Sequence, residues 1–169
     1  MRRILIGLVL LLAAAPAWAQ SNRDICGSGS ANPDQSIAAC TALIQSGQES
    51  TSNLAIDFYD RGNAYGAKGN NVQEIADQTQ AITLNPGYAS AYNNRAWAYH
   101  LNGEDAKGLP DANKGIELAP TANHFETRAE IYEKLGLSAN AITDYRASLK
   151  IEPNKADSLA GLKRLGATP

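Results

Sequence analysis

From residue 34 onward, apolar residues recur at helical spacing, and the polar residues between them fall on the opposite face. Between Asp34 and Gln45, Ile37, Ala38, Leu43 and Ile44 recur on one side with Cys40 among them. This is the spacing of an amphipathic helix, with Asp34 placed to cap it. Three later stretches then repeat one order of residues. The first holds Phe58, Arg61, Gly62, Tyr65, Gly69, Ala81 and Pro86; the second Tyr92, Arg95, Ala96, Tyr99, Gly103, Gly115 and Pro120; the third Phe125, Arg128, Ala129, Tyr132, Gly136, Ser148 and Pro153. The prolines set a period of about 34 residues. A repeat of this length is one supersecondary unit that cannot bury its apolar face alone and must stack on its neighbours.

Each repeat reads as two antiparallel helices, over 52–68 and 71–84, 88–102 and 105–118, and 122–135 and 138–151. Gly69-Asn70 marks the first turn, and Pro86 stops the helix before it because it cannot continue the backbone ladder. A last helix over 154–165 carries Leu159, Leu162 and Leu165 on one face and Lys155, Asp157, Lys163 and Arg164 on the other. That polar face suits the exposed end of a stack. Two places depart from the pattern. Glu74 and Gln78 fall at packed positions, so either they find partners or their helix is loosely held. Gly108 and Pro110 fall early in the helix over 105–118, which predicts a short or kinked helix starting effectively at Leu109 or Pro110.

The first 19 residues read as a secretory leader. Arg2 and Arg3 precede an apolar run from Ile4 to Ala15, and Ala17-Trp18-Ala19 supplies the small residues for cleavage after Ala19. The run is well short of the ~20 residues that span a bilayer. Export to the periplasm or beyond the cell is the expectation. Residues 20–33, rich in Ser, Asn and Gly, read as a flexible strap. The only two cysteines are Cys26 and Cys40, and in an oxidising compartment an isolated pair predicts a disulfide. Closing a loop of about 15 residues is worth about 3 kcal/mol in the chain-entropy description.

Loss of Arg2 and Arg3 with the leader leaves 13 Lys and Arg against 17 Asp and Glu. An acidic chain without a basic run is a poor partner for nucleic acid, whose phosphates dominate affinity. No later apolar run is long enough to enter a membrane. His100 and His124 lie in different repeats, outside any metal-ligand spacing, and no phosphate loop or nucleophile elbow occurs. No catalytic residue, metal or cofactor is assigned.

The 34-residue pattern resembles the tetratricopeptide repeat (TPR) family over roughly residues 55 to 155, in the form of a small exported bacterial protein. The resemblance implies an all-α fold, a right-handed superhelical stack of antiparallel helix pairs with about three full repeats, an N-terminal half repeat and a C-terminal capping helix. The chain then divides into the leader (1–19), a disulfide-tethered strap and helix (20–50), repeats over 55–88, 89–121 and 122–155, and the cap and tail (156–169).

The resemblance also implies a concave groove that holds a protein or peptide segment. Carried onto this chain, the groove positions are Tyr59, Asn63, Gly66 and Ala67; Asn93, Asn94, Trp97, His100 and Leu101; and Glu126, Thr127, Glu130 and Lys134. Trp97 has the profile of an interface hot spot, with packing against the next repeat as the rival role. Some members grip a C-terminal carboxylate with two Asn and three cations. Asn63 and Asn94 hold the Asn positions, but Tyr59, Asn123 and Thr127 replace the cations, which argues against that clamp. Arg61, Arg95 and Arg128 recur once per repeat at a packing position, where a buried stem and a guanidinium on a carbonyl or acid are expected. The expected function is an exported adaptor for a protein or peptide. Alternatives are a self-associating structural protein and, further off, a small-ligand binder or an enzyme of unrecognised type.

Overall fold

A computed structural model describes residues 17–28 and 31–169. Residues 1–16, the greater part of the expected leader, lie outside the described residues. Among the described residues the chain forms nine α-helices: α1 (Ala17–Cys26), α2 (Pro33–Ser46), α3 (Thr51–Ala67), α4 (Asn71–Leu84), α5 (Ala89–Leu101), α6 (Asp105–Leu118), α7 (Ala122–Lys134), α8 (Ser138–Ile151) and α9 (Ala156–Arg164). Each packs on the next, and α1, α3, α5, α7 and α9 also touch in sequence along one side. The result is the solenoid of helix pairs that the period implied.

Local chemistry fixes the ends of the helices. Ser50, Asn70 and Thr121 accept backbone N–H groups in the first turns of α3, α4 and α7, which satisfies donors the helix itself cannot. The turn inside each repeat falls on Gly69, Gly103 and Gly136 at φ 72°, 72° and 75°, a left-handed conformation that costs other residues a clash.

Burial is divided by repeat. Ala81, Ile82 and Ala91 pack with Tyr59, Tyr88 and Tyr92 between α3, α4 and α5. Ala96, Ala112, Ile131 and Leu109 join α5, α6 and α7, and Ala129, Tyr145, Leu149 and Leu162 join α7, α8 and α9. Small residues let the helices approach, as expected where neighbouring units supply the core.

A polar ladder runs beside these clusters. Arg61, Arg95 and Arg128 grip Asp77, Asp111 and Asp144 through two nitrogens each. Their remaining nitrogens reach back to Thr41, Thr79 and Asn113 on the second helix of the preceding pair. Each guanidinium also lies 5.4–5.8 Å from the ring centre of Phe58, Tyr92 or Tyr132, a cation–π distance.

Three sequence expectations are corrected. Residues 20–33 are not a strap throughout, because α1 runs to Cys26 and packs on α2, giving α2 a helical partner. The Cys26–Cys40 disulfide joins the two helices, with Ala39 and Leu43 buried around it. Asp34 does not cap α2: Asn32 occupies the cap position without a side-chain bond, Pro33 opens the helix, and Asp34 pairs with Lys68. The helix over 105–118 is not short, since α6 runs its full 14 residues with Pro110 inside. Pro110 is exposed, as is Ala106, whose carbonyl loses its helical N–H donor there. The either/or at Glu74 and Gln78 comes out mixed: Gln78 Nε2 donates to Asn63, while Gln78 Oε1 and the Glu74 carboxyl have no partner among the described residues.

Candidate functional site

The side formed by α3, α5 and α7 carries a row of connected hollows centred on Trp97. One of about 240 Å³ is lined by Asn63, Gly66, Ala67, Glu74, Asn94, Trp97 and Leu101. Its neighbour, about 200 Å³, shares Asn94 and Trp97 and adds Asn93, Asn123, Glu126, Thr127 and Glu130. A third, about 410 Å³, shares Glu130 and adds His100, Glu133, Lys134 and Arg164. Trp97 is half-buried, stands in the first two linings and stacks on His100 with ring centres 5.1 Å apart. Its flat face is available to a segment lying along the row.

An amide relay orients the middle of the row. Gln78 Nε2 and Asn94 Nδ2 both donate to Asn63 Oδ1, at 3.0 and 2.8 Å, and Asn93 Nδ2 donates to Asn94 Oδ1 at 3.5 Å. Asn63 has therefore filled its carbonyl and keeps its N–H groups. Asn93 Oδ1 is buried with no partner among the described residues.

Charge along the row is unevenly matched. Glu74 is 5% exposed, and burial pushes its carboxyl up to about 7. No hydrogen-bond or ion-pair partner of that carboxyl appears among the described residues. It fills the space that a side chain on Gly66 would take, since a Cβ built there would collide with the carboxylate. Burial also raises Glu130, partly offset by His100. His100 donates Nδ1–H to the acceptor-only Asp105 carboxylate at 2.6 Å, and Nε2 lies 3.8 Å from Glu130 Oε2. Glu126 accepts from Ser158 at 2.8 Å and lies 3.6 Å from Lys155. Glu133 is held below its ordinary range by the Arg164 fork, with both contacts at 3.0 Å, and accepts from Tyr145 at 2.9 Å.

The structure brings most of the expected groove residues together. Asn63, Asn93, Asn94, Trp97, His100, Leu101, Glu126, Thr127 and Glu130 all line the row. Tyr59 lines none of these three hollows: partly buried, it stacks on Tyr88 at 4.7 Å against the cluster between repeats. Glu133 and Arg164 were missed, because Arg164 belongs to the last helix, which reads only as a cap. Glu74 was noticed in the sequence as a misfit, but its place in the row, against the bare Cα of Gly66, needs the helix pair. Of the three positions without clamp cations, Tyr59 is stacked, Thr127 is buried, and Asn123 accepts from Lys155 at 2.6 Å.

Comparison with known proteins places these features in a family. Tetratricopeptide repeat models match residues 79–109 and 126–155. The Hsp70-Hsp90 organizing protein of Triticum aestivum is 35% identical over 118 residues, 66% of this chain and 19% of that protein. The chain spans about a fifth of the length of such curated relatives. Among solved structures, MamA from Desulfovibrio magneticus RS-1 superimposes over 90% of this chain and 86% of its own, with TM-score 0.77 at 13% identity. The first TPR of Spaghetti (RPAP3), bound to HSP90 peptide SRMEEVD, covers 68% of this chain and 92% of its own, with TM-score 0.66 at 24% identity. With the repeat models, the solenoid of helix pairs and these relatives in agreement, the chain belongs to the tetratricopeptide repeat family.

Proposed function

We propose that this protein is an exported adaptor that holds an extended segment of a partner protein along the row of hollows centred on Trp97. The observation that carries this reading is continuity. Asn94 and Trp97 are shared by two hollows and Glu130 by two, so one segment several residues long can lie across all three. A half-buried Trp beside amides with free donors offers both contact area and bonds to a peptide backbone. A structural neighbour that holds a peptide supports the same use of the fold. Export is supported by the apolar leader and by the single cystine.

The test is affinity capture from an envelope extract with the wild-type protein and with Trp97→Ala/Asn94→Ala, each checked for helicity. Partners held in the row should be lost from the double variant. Identical recovery from both would remove the assignment.

A further inference from the structure

Glu74 presents an unusual situation. A carboxylate is buried at the floor of an open hollow, with no counter-charge or donor among the described residues. Such a group is costly to ionise unless something pairs with it. The surrounding chain does not supply that partner. Lys68, the nearest lysine in sequence, is held by Asp34 on the other side of the α3–α4 turn, and Arg61 is committed to Asp77 and Thr41. Gln78, one turn further along α4, spends its amide on Asn63.

The carboxylate nonetheless lines the hollow. Gly66 leaves the wall of α3 bare, the carboxylate lies in that space, and a side chain on residue 66 would displace it. On the opposite wall stands Trp97, the aromatic ring that best attracts a cation. In the adjoining hollow the buried Asn93 Oδ1 is a second acceptor without a donor. Both unmet groups along this part of the row therefore want donors.

We infer that the hollow between Gly66, Glu74 and Trp97 receives the charged head of a Lys or Arg side chain carried by the bound segment. The stem lies along the Trp97 ring and the head meets the Glu74 carboxylate. Tyr59, Asn123 and Thr127 at the clamp positions fit the same preference, because Lys155, the cation that meets Asn123, is already shared with Glu126. The inference rests on the groove reading above and adds the chemistry of the partner to it.

The test uses peptides recovered by the wild-type protein from a phage-displayed random library, then synthesised. These peptides should share one Lys or Arg position. Exchanging that residue for norleucine should weaken binding to wild type about tenfold, the order of a partly desolvated charge pair. The same exchange should cost less than about twofold in Glu74→Gln, the coupling that a double-mutant cycle isolates. Gly66→Ala, whose new methyl would displace the Glu74 carboxylate from its place in the hollow, should also weaken the Lys peptide. Peptides that need Trp97 but carry no shared cation would overturn the inference while leaving the groove intact. A norleucine penalty undiminished in Glu74→Gln would do the same. Recovered peptides indifferent to Trp97→Ala, or none recovered, would overturn the groove reading and this inference with it.

Discussion

Arg95 holds Asp111 with two nitrogens, at 2.7 and 2.8 Å, while its third reaches Thr79 on the previous repeat at 3.0 Å. One side chain thus closes a pair of helices and ties that pair to its neighbour. Asp111 is buried, so removing the cation strands a carboxylate in the interior. Arg95→Leu should lose about 3 kcal/mol of stability, within the range for breaking a buried pair. Denaturant titration checks this, with Arg146→Leu as the comparison. Arg146 meets only the carbonyl of Thr168 at the surface, and an equal loss from both variants would mean the ladder carries no special weight.

Gly108 makes a prediction that runs against helix propensity. Replacing an interior helical Gly with Ala ordinarily adds about 0.5–1 kcal/mol. Here the new methyl would sit 2.9 Å from the Ala96 carbonyl oxygen, 3.2 Å from Tyr99 Cβ and 3.4 Å from Ile131 Cδ1. Backbone cannot step aside cheaply, and overpacking of this kind costs about 1–3 kcal/mol. Gly108→Ala should therefore lower the melting temperature, and a rise would show that α6 moves freely on α5.

The solenoid was legible because its signal repeats: one period, three prolines and three arginines place every helix between residues 51 and 151. What escaped was local competition between forces. Asp34 looked like a cap, but Pro33 already starts α2 and Lys68 claims the carboxylate. Pro110 looked like the start of a shortened helix, yet α6 begins at Asp105 and carries it on an exposed face. Tyr59 fell at a groove position, and its ring stacks instead on Tyr88 beside the cluster between repeats. Glu74 read as a misfit because sequence shows the polar residue but not the bare glycine opposite it. α1 was hidden in a segment whose composition resembles a linker, though Arg23 pairs there with Glu49 and Asp57.

Glu74 should also make stability depend on pH. Its folded pKa of about 7 lies above the ordinary 4.5, so the folded chain binds the proton more tightly than the unfolded one. Its contribution is thus fully present below the ordinary value and is lost as pH rises through 7. Glu74→Gln should match wild type near pH 4.5. Near pH 8.5 it should melt about 5 °C higher, the scale of roughly 2 kcal/mol in a chain of this size. Melting curves that stay parallel across this range would contradict the buried, unpaired carboxylate.

Cys40→Ser removes the bond between α1 and α2, and the loss should approach the roughly 3 kcal/mol of the closed loop. The effect should be regional. Amide exchange should accelerate in α1 and α2 and change little from α5 onward, because each repeat draws its core from its neighbours. Uniform acceleration along the chain would mean that the array opens as one unit.

The Arg ladder also gives the array a sense of direction. Each fork reaches back toward the N-terminus, to Thr41, Thr79 and Asn113. One period after Arg128 the chain has Leu162, buried among Tyr145 and its neighbours. The last helix is therefore seated by apolar contact, by the bonds of Ser158 to Glu126 and Ser148, and by Arg164 on Glu133 rather than by an Arg–Asp fork. Fraying should begin at α9 and travel inward one pair at a time. Trp97 and Asn63, two and three interfaces away, would keep their places while that end breathes, and only the far hollow beside Arg164 would open and close with it.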